Sequence, residues 1–133
     1  MPERNDFQYT ILRIVPRVER GECINTGVVL FCRLRDFLGI RIELDRARLH
    51  ALAPELDPAS VQPHLDAIAA VVAGDPSGGP LARLSPSERF GWVAAISSTV
   101  IQPSEVHTGL TDAPAATLEH LFESLVKVPE SRR

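Results

Sequence analysis

The sequence is poor in the residues that mark several specialised classes of protein. Only two of its 133 residues are cysteine, too few for a disulfide framework or a closed zinc site. No apolar stretch reaches the roughly 18 residues of a membrane-spanning helix, and no N-terminal segment has the charged and apolar pattern of a signal peptide. These absences predict a cytoplasmic protein with reduced thiols. Cys23 and Cys32 fall in an apolar strand pattern, which predicts that both are buried and unreactive.

Lysine is nearly absent as well. Lys127 is the only lysine among 14 basic residues, and the other 13 are arginine. The net charge of −3 and the pI near 5.8 argue against nucleic acid as the default partner. The charge is uneven, however, because residues 1–50 carry nine arginines against seven acidic residues. Arginine forks bind carboxylate and phosphate in ways that lysine cannot, so this part of the chain offers chemistry suited to an anion.

Motifs of established catalytic chemistry are also missing. Ser98, His107 and Asp112 would supply a nucleophile, a base and an acid, but no nucleophile-elbow sequence surrounds the serine. No glycine-rich loop follows a strand and opens a helix with a lysine, so a P-loop is absent. Three of the four histidines lie singly on predicted helices, without a second ligand one turn away: His50, His64 and His120. We therefore predict no catalytic residues, no metal site and no cofactor.

The residues that are present predict strands in the first third of the chain. Segments 8–18, 24–33 and 37–44 are rich in β-branched or alternating apolar residues and are separated by short turns, which predicts an antiparallel meander. Gly27, inside the second segment, indicates a bulge or a close backbone approach. A fourth strand is predicted at 97–103, followed by a loop from Ser104 to Asp112.

Helices are predicted in the remainder. Asp45 and Asp57 are suited to cap helices, the second of which ends at Gly74, and Ser85 with Glu88 forms a capping box. A loop is predicted at 74–80, and a last helix carries apolar residues at helical spacing within 113–127. The predicted fold is one α+β domain over residues 1–133, ordered over about 7–128 with a frayed tail at 129–133. Its antiparallel sheet has three to four strands, a meander first, with helices packed on one face.

Two groups of polar residues are candidates for binding a ligand or a partner. The first surrounds the turn between the first two strands, where arginine donors meet a carboxylate and an amide: Arg13, Arg17, Arg20, Glu22 and Asn25. The second group begins on a predicted helix and continues into the strand and loop after it: Arg89, Ser98, Gln102, His107 and Thr108. The bland alternatives are a solvated hairpin tip for the first group and side-chain bonds that fix a loop for the second.

The order of these segments resembles a known family. Tyr9–Cys32, which contains Arg13 and Asn25, is followed by Glu88–Phe90, Ser98–Gln102 and Val106–Leu110. This arrangement resembles a bacterial family catalogued as domain of unknown function 3037, over about residues 7–127 of the chain. The resemblance implies a small cytoplasmic bacterial protein, often encoded near kinases of the HipA-like toxin type. It carries over no catalytic residues, because the family has none assigned.

The resulting hypothesis is a non-enzymatic binding or regulatory module, associated with toxin–antitoxin systems, that acts through protein contacts with a HipA-like kinase as its partner. Two alternatives stay open at this point. One is an enzyme or binder that acts on a phosphorylated or other anionic ligand, and the other is a nucleic-acid-binding module that uses the arginine-bearing sheet face. No membrane association is predicted, and the oligomeric state is open.

Overall fold

The structure, a computed structural model, describes residues 3–96 and 100–128. These residues contain one antiparallel sheet with the strand order β3-β2-β1-β4, and a fifth strand, β5, also pairs with β1. The predicted α+β class and the initial meander are therefore confirmed. The strands are β1 (Asn5–Ile14), β2 (Ile24–Cys32), β3 (Phe37–Ile42), β4 (Ile101–Pro103) and β5 (His107–Thr111).

The helices begin where the sequence places their caps. The Asp45 and Asp57 side chains accept hydrogen bonds from backbone N–H groups in the first turns of the first two helices. Both hydrogen bonds of the predicted capping box at Ser85 are also present. Gly74 ends the second helix in the left-handed conformation with φ of 70°. None of the described helices combines the length and the apolarity needed to cross a bilayer. The helices are α1 (Arg46–Leu52), α2 (Pro58–Ala73), α3 (Pro86–Ala94) and α4 (Pro114–Leu125).

Helices cover both faces of the sheet, and the prediction of helices on one face is wrong. Alternate residues of β2 point to opposite sides, so Val29 and Phe31 pack with α2 and α3, whereas Val28 and Leu30 pack with α4. The continuous apolar run in β2 arises because this strand is buried on both faces. We call the two sides the α2–α3 face and the α4 face.

The second departure from prediction is β5, which occupies the region expected to be a loop between Ser104 and Asp112. β4 and β5 both run antiparallel to β1 along the same flank and are separated by residues 104–106. Together they behave as one interrupted strand that pairs with nearly the whole length of β1. Residues 97–99, the start of the predicted fourth strand, and the predicted tail at 129–133 lie outside the described residues.

Smaller corrections concern turns and thiols. β1 ends at Ile14 rather than at 18, because Val18 belongs to a 3-10 turn at Val18–Arg20 and its side chain is 64% exposed. Most of the loop predicted at 74–80 is instead the beginning of a 3-10 segment, Pro76–Arg83. The Asp75 side chain caps its first turn. Cys32 is buried as predicted, but Cys23 is exposed because it precedes β2.

Candidate functional site

Three candidate residues from two separate predicted groups lie side by side across the sheet. Arg13 in β1 is directly opposite Asn25 of β2 on one flank and opposite Gln102 of β4 on the other. Directly opposed residues in antiparallel strands project their side chains from the same face, with Cβ atoms about 5 Å apart. We call this set, Asn25, Arg13 and Gln102, the amide–guanidinium row.

A β-bulge places Asn25 in the row. Leu12 pairs with Gly27 and Arg13 pairs with Asn25, so Thr26 is an extra residue on β2. The Thr26 hydroxyl donates to the carbonyl of Glu43 at 2.9 Å, which fixes the bulge to the chain that leaves β3. A Cβ on Gly27 would come within 2.7 Å of Ile42 Cγ2, so the predicted close approach at this glycine is confirmed.

The row lies on the α4 face, at the C-terminal end of α4. The Asn25 side-chain amide donates to the carbonyl of Leu125 at 3.0 Å. The last carbonyls of a helix have no partner within the helix and carry partial negative charge. The Arg48 guanidinium of α1 donates to the next of these carbonyls, that of Val126, at 3.4 Å. Asn25 therefore ties β2 to the end of α4, next to Arg13.

Arg13 is half-buried, and its Nε is buried without a hydrogen-bond partner among the residues that the structure describes. The Gln102 amide likewise has no hydrogen-bond partner among the described residues. The neighbouring Asn25 amide is engaged with α4. The row therefore combines a positive charge with uncommitted hydrogen-bonding groups, which is chemistry suited to holding an acceptor oxygen.

The rest of the first predicted group lies at the hairpin tip, away from the row. Arg17 forms an ion pair with Glu55 at 3.0 Å, and Arg20 donates two hydrogen bonds to Glu22, the longer one at 3.2 Å. The hydrogen bond from Arg20 holds the pKa of the Glu22 carboxyl below its usual value. All four side chains are exposed, so these pairs contribute little to stability.

Arg89 lies on the other side of the sheet. It belongs to α3, which packs on the α2–α3 face, and its terminal amino group donates to the carbonyl of Ala82 at 3.2 Å. Its Nε, like that of Arg13, is buried without a hydrogen-bond partner. A Cβ on Gly74 would meet this guanidinium at 2.6 Å, so the glycine makes room for it. The sheet thus separates Arg89 from the row.

His107 and Thr108 are also distinct from the row. His107 is opposite Tyr9 across β1 and β5, and the two rings stack with centroids 5.1 Å apart. Four residues along β1 and two strand spacings across the sheet separate His107 from Asn25, a Cα distance of about 16 Å. Thr108 is exposed and projects from the opposite face. Ser98 lies outside the described residues.

Ser104 is a structural residue that sequence reasoning missed. Its Oγ accepts the Ile11 N–H at 2.8 Å, and its own N–H donates to the Ile11 carbonyl at 2.7 Å. The Thr10 hydroxyl donates to the Ser104 carbonyl at 2.8 Å. The serine side chain therefore supplies the acceptor that a regular strand would provide between β4 and β5. A single serine in a predicted loop gives no sequence signal of this role.

The described part of the chain contains no group of three or more histidine, cysteine or acidic side chains that could hold a metal ion. A small apolar cavity of about 200 Å³ lies between α2 and α3. It is lined by His64, Ala67, Ile68, Trp92, Ile96 and Ile101.

Comparison with known proteins identifies a family but no characterised relative. No curated protein and no solved structure matches the chain. The family described as protein of unknown function DUF3037 matches residues 9–126. The matched region runs from β1 to the end of α4 and so includes every residue of the row. The chain belongs to this family, DUF3037, as the order of its segments predicts.

Proposed function

We propose that this protein is a binding module that holds an anionic group, a carboxylate or a phosphate, at the amide–guanidinium row. The observation that carries the proposal is the Arg13 Nε, which is buried and has no hydrogen-bond partner within residues 3–96 and 100–128. An unsatisfied buried donor costs about 1–3 kcal/mol, and more when the group is charged. An acceptor oxygen bound at the row would remove that cost.

The neighbours of Arg13 support an anion rather than a neutral ligand. Guanidinium groups bind carboxylate and phosphate through paired, charge-assisted hydrogen bonds. The uncommitted Gln102 amide stands beside Arg13 on β4 and offers a further N–H donor. The other flank is held rigid because Asn25 is bonded to α4, which limits the rearrangement that binding would require.

Titration of the purified protein with phosphate and with acetate, followed by calorimetry and by NMR, tests this proposal. We expect saturable binding that is at least about tenfold weaker in Arg13→Gln, and also weakened in Arg13→Lys, because lysine lacks the planar fork. Arg17→Gln is the matched control, since it removes one positive charge from an arginine paired with Glu55. If an Arg13 variant does not fold, Gln102→Ala provides the second test. It should also weaken binding, because it removes the amide beside Arg13.

Two results would contradict an anion site at the row. One is that neither phosphate nor acetate binds saturably. The other is equal weakening by Arg13→Gln and Arg17→Gln, which would mean that only the overall charge matters.

A second candidate function is the one implied by the family resemblance, a regulatory module that contacts a HipA-like kinase. The exposed Val18 at the hairpin tip favours it. Arg17 and Arg20, which form exposed ion pairs with Glu55 and Glu22, flank this residue along the chain. An apolar residue within a polar rim is the arrangement that protein interfaces use at their energetic centre.

Co-expression with a HipA-like kinase from the source cells tests this second function. We expect the kinase to co-purify with the native protein and with Leu34→Asp, but not with Val18→Asp. Leu34 is a suitable control because it is 70% exposed and lies in the turn between β2 and β3, at the other end of the sheet. Failure of the kinase to co-purify with the native protein would eliminate this function, and so would equal retention in both variants.

A further inference from the structure

β5 forms an outer edge of the sheet whose far side faces no other strand in the described ranges 3–96 and 100–128. The opposite edge, β3, is flanked by α2 on one face and α4 on the other. None of the described elements covers β5 in a comparable way, and Leu110 is 60% exposed while Val106, just before the strand, is 39% exposed. Natural proteins usually protect such an edge with lysine, proline or a covering element, and β5 itself contains neither residue.

The direction of the free backbone groups of β5 follows from the hydrogen bonds that β1 makes on this flank. The N–H and the carbonyl of Ile11 both bond to Ser104, so they point toward the β4–β5 flank. The N–H of Val15 bonds to Val100 on the same flank. Because alternate residues of a strand point the same way, Tyr9 and Phe7 also direct their groups toward β5. Their partners there, His107 and Gly109, use their own groups to bond β1.

The residues between these partners point their backbone groups away from the sheet. Thr108 and Leu110 therefore present free N–H and carbonyl groups at the edge, and their side chains share one face. A further strand added to this edge would bond to the positions that alternate with His107 and Gly109. A symmetric pairing in this phase places Thr108 and Leu110 opposite residues that also direct their backbone groups outward.

We propose that β5 pairs with β5 of a second copy of this chain, antiparallel and with the two-fold axis at Thr108. In this register the two Thr108 residues face each other and exchange two backbone hydrogen bonds, in phase with the free groups. Val106 of each copy lies opposite Leu110 of the other, so the exposed apolar side chains cover each other. The pairing would join the two sheets into one continuous sheet with an isologous interface.

The other features of the register are also compatible with self-association. His107 lies opposite Gly109 of the second copy, which places a ring over a residue without a side chain. Glu105 lies opposite Thr111, so no two acidic residues face each other across the interface. A register centred on Gly109 would place Asp112 opposite Val106, and one centred on Leu110 would place Pro114 opposite Val106.

Sedimentation of the full-length protein from micromolar to near-millimolar concentration tests the pairing. We expect a reversible dimer of modest affinity, because a single strand pair buries less than the roughly 1,200 Å² of a stable interface. Thr108→Lys brings two positive charges together at the axis and should weaken dimerisation about tenfold or more. Leu34→Glu, at an equally exposed position away from the edge, should leave it unchanged.

A charge-pair rescue tests the register itself. Val106→Lys and Leu110→Glu should each weaken the dimer, whereas the double variant should restore it, because the two new charges face each other across the interface. Circular dichroism checks that each variant is folded, and exposure of these positions predicts that it is. A monomer at all concentrations, a dimer insensitive to the edge variants, or no rescue in the double variant would each overturn the proposal.

Discussion

Gly109 of β5 lies opposite Phe7 of β1, and a Cβ at this position would come within 2.7 Å of the phenylalanine ring. Gly91 in α3 has no atom within 4 Å of its Cβ position. Neither glycine has a positive φ, so space rather than backbone conformation separates them. The two positions therefore respond in opposite ways to the same substitution.

Gly109→Ala is expected to lower the free energy of unfolding by about 1–3 kcal/mol, because the new methyl group must displace the buried ring. Gly91→Ala is expected to raise it by up to about 1 kcal/mol, because alanine restricts the unfolded chain within a helix. Urea denaturation of both variants measures the two changes. A neutral Gly109→Ala would mean that Phe7 can move without loss of packing.

Sequence reasoning found one of these close approaches and missed the other. Gly27 interrupts a strongly apolar strand pattern, and that interruption predicts a bulge or a close contact. Gly109 was placed in a predicted loop, where glycine needs no special explanation. Its role depends on Phe7, which is 102 positions earlier in the chain and becomes its neighbour only through the pairing of β1 with β5.

At the scale of the element, the capping box of α3 makes stability depend on pH. Hydrogen bonds from Ser85 lower the pKa of the Glu88 carboxyl from its ordinary value of 4.5. A carboxyl whose pKa is lower in the folded state stabilises the fold above the unfolded pKa. That stabilisation disappears as the pH falls through the folded pKa.

Glu88→Gln should therefore lower the free energy of unfolding most at neutral pH, and its difference from the native protein should narrow as the pH falls below 4.5. Chemical denaturation across this range measures the difference. In a Ser85→Ala background the same substitution should lose only part of its pH dependence, because the hydroxyl is removed whereas the backbone N–H of residue 85 still donates to the carboxylate. A difference that stays constant with pH would contradict the assigned role of the carboxylate.

Local signals explain why most elements were predicted and β5 was not. Caps, prolines and the spacing of apolar residues lie within a few positions of each helix terminus, so the sequence contains the information. β5 has only five residues and includes a glycine, and it exists because β1 offers a free flank to pair with. The cover of α4 over the second face likewise depends on tertiary packing that periodicity does not indicate.

At the scale of the molecule, two cores share one sheet. β2 contributes alternate residues to each core, so the packing of both cores depends on the position of this one strand. The single tryptophan, Trp92, packs against the α2–α3 core, and the single tyrosine, Tyr9, packs against the α4 core. Each core therefore has its own spectroscopic reporter.

Phe122→Ala removes a large side chain from the α4 core, where Phe122 is 1% exposed. We expect a loss of about 3–5 kcal/mol, with the Tyr9 and Trp92 signals still changing at the same urea concentration, because the shared sheet unfolds as one unit. Leu34→Ala, at an exposed turn position, should change stability by less than about 0.5 kcal/mol. A Tyr9 transition that precedes the Trp92 transition would show that the α4 side unfolds by itself.

The candidate site shows the same division between local and distant information. Arg13, Asn25 and Gln102 were each identified from the sequence as binding candidates, but in two separate groups. Their juxtaposition depends on the bulge at Thr26 and on the pairing of β4 with β1, and both are tertiary features. Arg89 falls in the same predicted group as Gln102, because nothing in the sequence indicates that the two side chains lie on opposite faces of the sheet.

The central position of β1 has a consequence for synthesis on the ribosome. β1 to β3 are complete once residue 42 has emerged, whereas the strand that covers the outer flank of β1 begins at residue 101. At typical elongation rates of about 5–20 residues per second, these roughly 60 residues take several seconds. During that interval the nascent chain carries a bare strand edge with its backbone groups unpaired. A chaperone that binds extended apolar segments would find its target there, at Phe7–Ile11.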